Sequence, residues 1–221
     1  MTTNSLVYTL AFMLLGYLSG SVLYIRVAEK LFHKNLTASS SDHNPGAFNA
    51  FKNGGFFAGS LTVFGDIFKG ILPVALYLHL MPSLVTDWGV TFVLAAPVFG
   101  HIYSCFNHFH GGKGIAVSFG VLLALIPDWA PVLVLAALFL FFSLVVIVRP
   151  DSVKTALVFV LLPVFSYMIR IPFSIVAGEL LIAADVLARL YRENRQIGRV
   201  QIYPFWKSAR FASSRQPETG E

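Results

Sequence analysis

The sequence is poor in the features of soluble and secreted proteins. It has one cysteine, Cys105, so no disulfide can close within the chain. Only 12% of its 221 residues are charged, about half of the ~25% usual in soluble domains. The opening MTTNS has no Lys or Arg. A secretory signal would carry a basic stretch there, so the first apolar run is expected to persist as a helix. Neither H-E-x-x-H nor a paired-cysteine spacing occurs. His43, His101, His108 and His110 therefore make no metal motif, and neither metal nor cofactor is expected. The nucleotide pattern G-x-x-x-x-G-K-[ST] is also missing. The net charge of +5 is modest, so its placement matters more than its size, and no nucleic-acid partner is expected.

What is present is apolar. Hydrophobic residues make up 56% of the chain, with 21 Phe, and the mean hydropathy is +0.71. Those values belong to the membrane class. A crossing helix needs about 20 mainly apolar residues. Runs at 6–28, 56–80, 88–106, 115–126, 132–148, 153–169 and 173–190 predict an all-α polytopic membrane protein of about seven spans. The fourth is the shortest, and the PDWAP turn separates it from the fifth. Residues 1–207 read as one membrane domain, and 208–221 as a disordered tail.

Basic residues fall in alternate connections. Arg26, Lys30, Lys34 and Lys52 precede the second span, Lys113 precedes the fourth, Arg149 and Lys154 precede the sixth, and an Arg-rich stretch follows the seventh. The intervening connections have no Lys or Arg apart from Arg170. The positive-inside rule then predicts an outside N-terminus and a cytoplasmic C-terminus. Four polar segments, 39–55, 107–114, 149–154 and 191–196, would thus share the cytoplasmic side. Their convergence would make one pocket, with membrane lipids around it.

Gly111, Gly112, Lys113 and Gly114 stand out in that set. Adjacent glycines let backbone amides approach an anion, and a helix starting near Ile115 would add its positive end. A flexible loop with one lysine snorkelling to the headgroups is the alternative. The segment from Asp42 to Lys52 offers Asn44 and Asn49 around a Pro45–Gly46 turn; an ordinary interfacial loop would read the same way. Asp66 and Lys69, at i and i+3, share a face deep in the second span. Charges there mark a functional site or a buried structural pair.

Taken together, these segments resemble a known family: the integral-membrane, acyl-phosphate-dependent glycerol-3-phosphate acyltransferases of bacteria. GYLSGSV (16–22) resembles the family's first-helix segment, and NPGAFNAFK (44–52) its G-S-G-N-x-G-A-T-N-x-x-R loop. DIFKG (66–70) resembles its second helix, and GHIYSCFNHFHGGKGIA (100–116) its G-H-x-x-P-x-F-x-x-F-x-G-G-K-G signature. RENRQ (192–196) resembles the start of its H-R-E-N ending. The resemblance implies transfer of an acyl group from acyl phosphate to glycerol 3-phosphate, giving lysophosphatidic acid. It implies no enzyme nucleophile, a bacterial inner membrane and a cytoplasm-facing site. Asn44 and Gly46 would lie at the acyl phosphate, and Asn49 is a further substrate-binding candidate in the same loop. Gly111, Gly112, Lys113 and Gly114 would hold phosphate, and Lys52 would face the acceptor. Ser152 and Asn194 match a loop Ser and the Asn of the ending.

The sequence also departs from that pattern. Asp42 and His43 replace Ser and Gly, Phe48 replaces Thr, Lys52 replaces Arg, Tyr191 replaces His, and a Pro is lost near Ser104. Lys52 keeps the charge without the two-pronged donor geometry. Asp42 and His43 are candidates for acid–base work on a different acceptor. A relative acylating another acceptor, or a lipid-binding protein without catalysis, are the alternatives these changes leave open.

Overall fold

The computed structural model describes residues 3–37, 44–81, 87–193 and 200–204. Asp42, His43, Asn194 and the expected tail at 208–221 lie outside the described residues. Nine α-helices are described: α1 (Thr3–Ser21), α2 (Tyr24–Phe32), α3 (Ala47–Gly54), α4 (Phe56–Leu80), α5 (Trp88–Ile102), α6 (Ile115–Leu123), α7 (Ala130–Leu140), α8 (Asp151–Met168) and α9 (Phe173–Glu193). Two short strands join them, β1 (Val146–Arg149) and β2 (Gln201–Pro204).

Helix α5 is the axis of the bundle. Its residues are buried nearly all round, with Trp88, Phe92 and Phe99 the large side chains that reach the surface. It packs against α1 on one side and α9 on the other. The α1 contact is close because small residues face it. A methyl added to Gly20 would lie 2.0 Å from the Pro97 carbonyl oxygen. Gly16 and Gly20 are four apart, the spacing that lets membrane helices approach backbone to backbone. Hydroxyls then tie the contact, with Ser104 donating to the Ser21 carbonyl at 2.6 Å and Tyr17 to the Tyr103 carbonyl at 3.1 Å. Ser104 therefore has a structural job where the family pattern carries Pro.

A second, smaller core holds the segment that leads toward Asn44. Leu23, at the break before α2, and Ile25 and Ala28 of α2 pack with Leu36, Ala50 and Ala58. Glu29 fixes the chain after α2, accepting from the Leu36 amide, the Thr37 amide and the Thr37 hydroxyl, each at 2.9 Å. Asn53 donates to the Leu36 carbonyl at 2.7 Å.

The architecture departs from the sequence expectation in four places. The chain is not purely helical, because β1 pairs antiparallel with β2. The run expected to span 132–148 leaves the α-helix after Leu140, makes a π-turn at Phe141–Val145 and becomes strand. Its last residues, Val-Ile-Val before Arg149–Pro150, are β-branched and suit extended backbone. The first run breaks at Val22–Leu23 and resumes as α2. The fourth is nine residues, about 14 Å at 1.5 Å per residue. Among the described residues, four helical segments are long and apolar enough to cross a membrane: Ser5–Phe32, Phe56–Leu80, Trp88–Asn107 and Asp151–Met168.

Candidate active site

Deep in the bundle, Asp66 and Lys69 occupy one face of α4, as their spacing requires. Both are 2% exposed, and Lys69 Nζ lies 2.7 Å from Asp66 Oδ1. The same ammonium donates to the Val22 carbonyl at 2.6 Å, where α1 breaks. It also lies 2.8 Å from Nδ1 of His101, on the last turn of α5. The buried ammonium thus bonds two neutral acceptors and lies against one carboxylate, whose charge balances its own.

The Gly-rich loop packs against this group. A methyl at Gly111 would fall 1.7 Å from the His101 carbonyl oxygen, and one at Gly112 would fall 2.3 Å from His101 Nε2. Only residues without a Cβ let the loop pass beneath the end of α5. Arg189 of α9 secures it from the other side, donating to the Gly111 carbonyl at 3.2 and 3.4 Å.

A cavity of about 490 Å³ opens beside the loop. Asp66 and His101 form part of its wall, together with Asn44, Asn49, Lys113 and Lys154. Val63, Ile67, Phe119 and Phe139 make another part apolar. Three helices begin at its edge, α3 after Gly46, α6 after Gly114 and α8 after Pro150. Gly and Pro have no side-chain oxygen with which to cap a helix, and none of the three N-termini has a side-chain cap. Their first-turn N–H groups and positive dipole ends are therefore turned toward the cavity without an internal acceptor of that kind. Helix α8 carries Asp151 in its first turn, paired to Lys154 at 2.9 Å; α3 and α6 carry no acid there. Anions are the chemical match for such an edge.

Of the residues singled out from sequence, Asn44, Gly46, Asn49, Lys113 and Gly114 line this cavity. Asn49 donates to the Asn44 carbonyl at 2.8 Å, which holds the turn before α3. Gly111 and Gly112 are buried behind it. Ser152 is half-buried on the first turn of α8, whose Asp151, Lys154 and Thr155 line the wall. Lys52 is exposed and is not among the lining residues. Phe48 lines the cavity while 73% exposed, which puts it at the mouth. Tyr191 is 85% exposed on α9. His101, His108 and His110 do not gather, since His101 is buried and the other two are exposed.

Sequence reasoning assigned no site role to His101, Asp151, Lys154, Thr155 or Arg189. A signal existed for three of them: Asp151, Lys154 and Thr155 begin a helix right after a proline, as Ile115 does after a glycine.

Comparison with known proteins gives a consistent answer. Residues 10–201 match the family described as glycerol-3-phosphate acyltransferase. The glycerol-3-phosphate acyltransferase of Chromobacterium violaceum is 34% identical over 83% of this chain and 88% of its own length. That of Ralstonia pickettii is 34% identical over 86% and 90%. A crystal structure of PlsY, an integral membrane glycerol 3-phosphate acyltransferase in its glycerol 3-phosphate form, superposes with a TM-score of 0.71. It shares 27% identity, and the match covers 96% of each chain. The lysophosphatidic acid form of PlsY superposes with a TM-score of 0.70 at 26% identity, covering 96% of this chain and 95% of that one.

Proposed function

The chain belongs to the glycerol-3-phosphate acyltransferase family of integral membrane enzymes, and from that premise we propose that its acyl donor is an acyl phosphate. The acceptor is glycerol 3-phosphate, and the product is lysophosphatidic acid for phospholipid synthesis. The observation that carries the reading is the cavity itself. Three helix N-termini without side-chain caps, with Lys113 and Lys154, meet an apolar wall of Val63, Ile67, Phe119 and Phe139. An acyl phosphate has both characters, an anionic head on an alkyl chain, and the acceptor brings a second phosphate.

The lining supports direct transfer between two bound substrates. Its one described hydroxyl, Thr155 Oγ1, donates to the Asp151 carbonyl at 2.8 Å. The 1-hydroxyl oxygen of glycerol 3-phosphate bonds to the acyl carbonyl carbon, and the bond from that carbon to the phosphate oxygen breaks. Inorganic phosphate leaves, and one of its oxygens takes the hydroxyl proton. The protein's part is placement and charge stabilisation. Lys113 and the α6 N-terminus neutralise the leaving phosphate, while Asn44 and Asn49 shape the edge at α3. Gly111 and Gly112 keep the loop close to α5. Ser152 and Lys154 at the α8 end, with Lys52 and Asn194, serve the acceptor's phosphate, and Asp42 and His43 are candidates for acid–base work on an acceptor.

The same reading sets the topology: the N-terminus outside, the C-terminus in the cytoplasm of a bacterium, and the cavity opening from the inner membrane to the cytoplasm. The Lys and Arg bias supports it. Helix α6 starts at a cavity whose wall reaches Asp66, the eleventh residue of α4. A segment that begins at such depth need not cover the full bilayer, which accounts for its shortness.

The test is turnover of palmitoyl phosphate and glycerol 3-phosphate by the purified protein in lipid, with phosphate and lysophosphatidic acid both followed. Equal yields of the two are expected. Lys113→Ala should lower turnover by about a hundredfold or more. Phosphate without lysophosphatidic acid would replace the acceptor, and absence of both would reject acyl phosphate as donor.

A further inference from the structure

We propose that His101 is a catalytic hydrogen-bond donor to an oxygen of the acyl phosphate, and that Lys69 holds its imidazole in the form that can only donate. The inference rests on the acyl-phosphate reading above and adds a residue that the sequence patterns did not assign.

The tautomer follows from hydrogen-bond bookkeeping. A lysine ammonium has donors and no acceptor. Lys69 lies 2.8 Å from His101 Nδ1, so Nδ1 receives that bond and carries no proton. The imidazole proton is then on Nε2. The reverse assignment would have Nδ1–H donating to an uncharged Lys69 amine. Asp66, 2.7 Å from Lys69 and 3.7 Å from His101, would then be a buried anion without a cation. The ammonium form makes the buried trio neutral overall, which a low-dielectric site favours. A neutral imidazole with both nitrogens so committed has no lone pair for a substrate proton. It cannot serve as a general base.

Geometry then directs the donor. His101 is 4% exposed, yet it lines the cavity. Its Nε2 has no hydrogen-bond partner among the described residues. Gly112 leaves that edge of the ring uncovered, since a methyl there would sit 2.3 Å from Nε2 and 3.0 Å from the Pro45 carbonyl oxygen. An N–H on the wall of a cavity, with no protein acceptor taking it, is available to a ligand bound there. Being neutral but polarised by Lys69, it favours an acceptor whose negative charge grows during reaction. The groups facing the ring are Lys69 and Asp66 from α4 and Arg189 from α9; the cavity beyond it holds Lys113.

Two experiments test this. The first compares His101→Gln, whose amide N–H reaches near the Nε2 position, with His101→Ala, both in lipid with palmitoyl phosphate and glycerol 3-phosphate. His101→Ala should lose about a hundredfold or more in turnover, and His101→Gln should recover most of it. A fall in kcat alone assigns the donor to the carbonyl oxygen, and a rise in KM for palmitoyl phosphate assigns it to a phosphoryl oxygen. Equal loss in both variants, or none in either, overturns the proposal. The second is nitrogen-15 NMR of histidine-labelled wild type, which needs neither turnover nor a variant that folds. The proton should stay on Nε2 between about pH 6 and 9, a range in which a free imidazole would titrate or exchange tautomers. Palmitoyl phosphate should move the Nε2–H resonance. A proton on Nδ1, or a resonance indifferent to palmitoyl phosphate, rejects the donor role. Wild type that binds palmitoyl phosphate at Nε2 but makes no lysophosphatidic acid would instead fault the acceptor assignment alone.

Discussion

Two regions of the bundle bury a carboxyl group, and they treat it differently. At the cavity, Asp66 has Lys69 at 2.7 Å, and the ammonium is shared with His101 and the Val22 carbonyl. Between α8 and α9, Glu179 is 0% exposed with Ser166 as its partner at 3.0 Å, and its Oε2 has none among the described residues. The first group has a cation beside it, belongs to a network and opens to a cavity. The second is held by one hydroxyl. Intramembrane ionisable groups are functional candidates by default, and the contrast shows that burial alone does not make one. What separates them is whether the charge orients something that faces substrate.

The largest expected effect is therefore at Lys69. Lys69→Met removes the cation, strands Asp66 and frees His101 to change tautomer. Breaking a buried pair from one side typically costs about 3–5 kcal/mol, to be read as lowered thermal stability in detergent. Turnover should fall with it. Adding Asp66→Asn should restore much of the stability, because no buried charge is then left alone, but not turnover. Stability lost and regained without any change in turnover would reduce the trio to a structural pair.

Gly112→Ala comes next. The added methyl meets His101 Nε2 at 2.3 Å and the Pro45 carbonyl oxygen at 3.0 Å. Overpacking of this kind costs about 1–3 kcal/mol, and it covers the donor edge. Turnover should drop more than stability alone explains, measured on protein that still elutes as a single folded species. A variant with normal kinetics would mean that the Nε2 edge does not meet substrate.

Much of this was legible in the sequence, for identifiable reasons. The apolar runs gave α4, α5, α8 and α9 closely, because their ends carry Gly, Pro or charge. Asp66 and Lys69 could be placed on one face because helical spacing is local. The Gly111–Gly114 segment was recognisable as an anion edge for the same reason. Long-range geometry was not legible. His101 meets Lys69 across 32 positions of sequence, and nothing near His101 betrays which nitrogen carries the proton. The strand at Val146–Arg149 was hidden because an apolar run reads the same in a helix end as in a strand, and its partner is Gln201–Pro204. The uncapped helix starts were visible as NPG, GKG and RPD, but only the fold shows that all three face one cavity.

A milder test addresses how the site is held from outside. Glu29 does not line the cavity, yet its carboxylate anchors Leu36 and Thr37 ahead of Asn44 and pairs with Arg26 at 2.7 Å. Glu29→Gln weakens three charge-assisted bonds at a partly solvated position. A loss of about 1–2 kcal/mol is expected, with KM for palmitoyl phosphate rising more than kcat falls. An unchanged KM would show that the 36–37 anchor does not govern the α3 edge.

The smallest effect belongs to Glu179. If the two buried carboxyls differ as argued, Glu179→Gln should shift stability by less than about 1 kcal/mol, since the amide oxygen still accepts from Ser166 and no ion pair is lost. Turnover and KM should match wild type, because Glu179 is not among the described residues lining the cavity and its described partner is Ser166. The contrast with Lys69→Met is then largest when both are measured in the same lipid. A loss of several kcal/mol at Glu179, or a change in kcat, would mean that the carboxyl serves a partner charge or the reaction itself. The distinction between a networked and an isolated buried acid would then collapse.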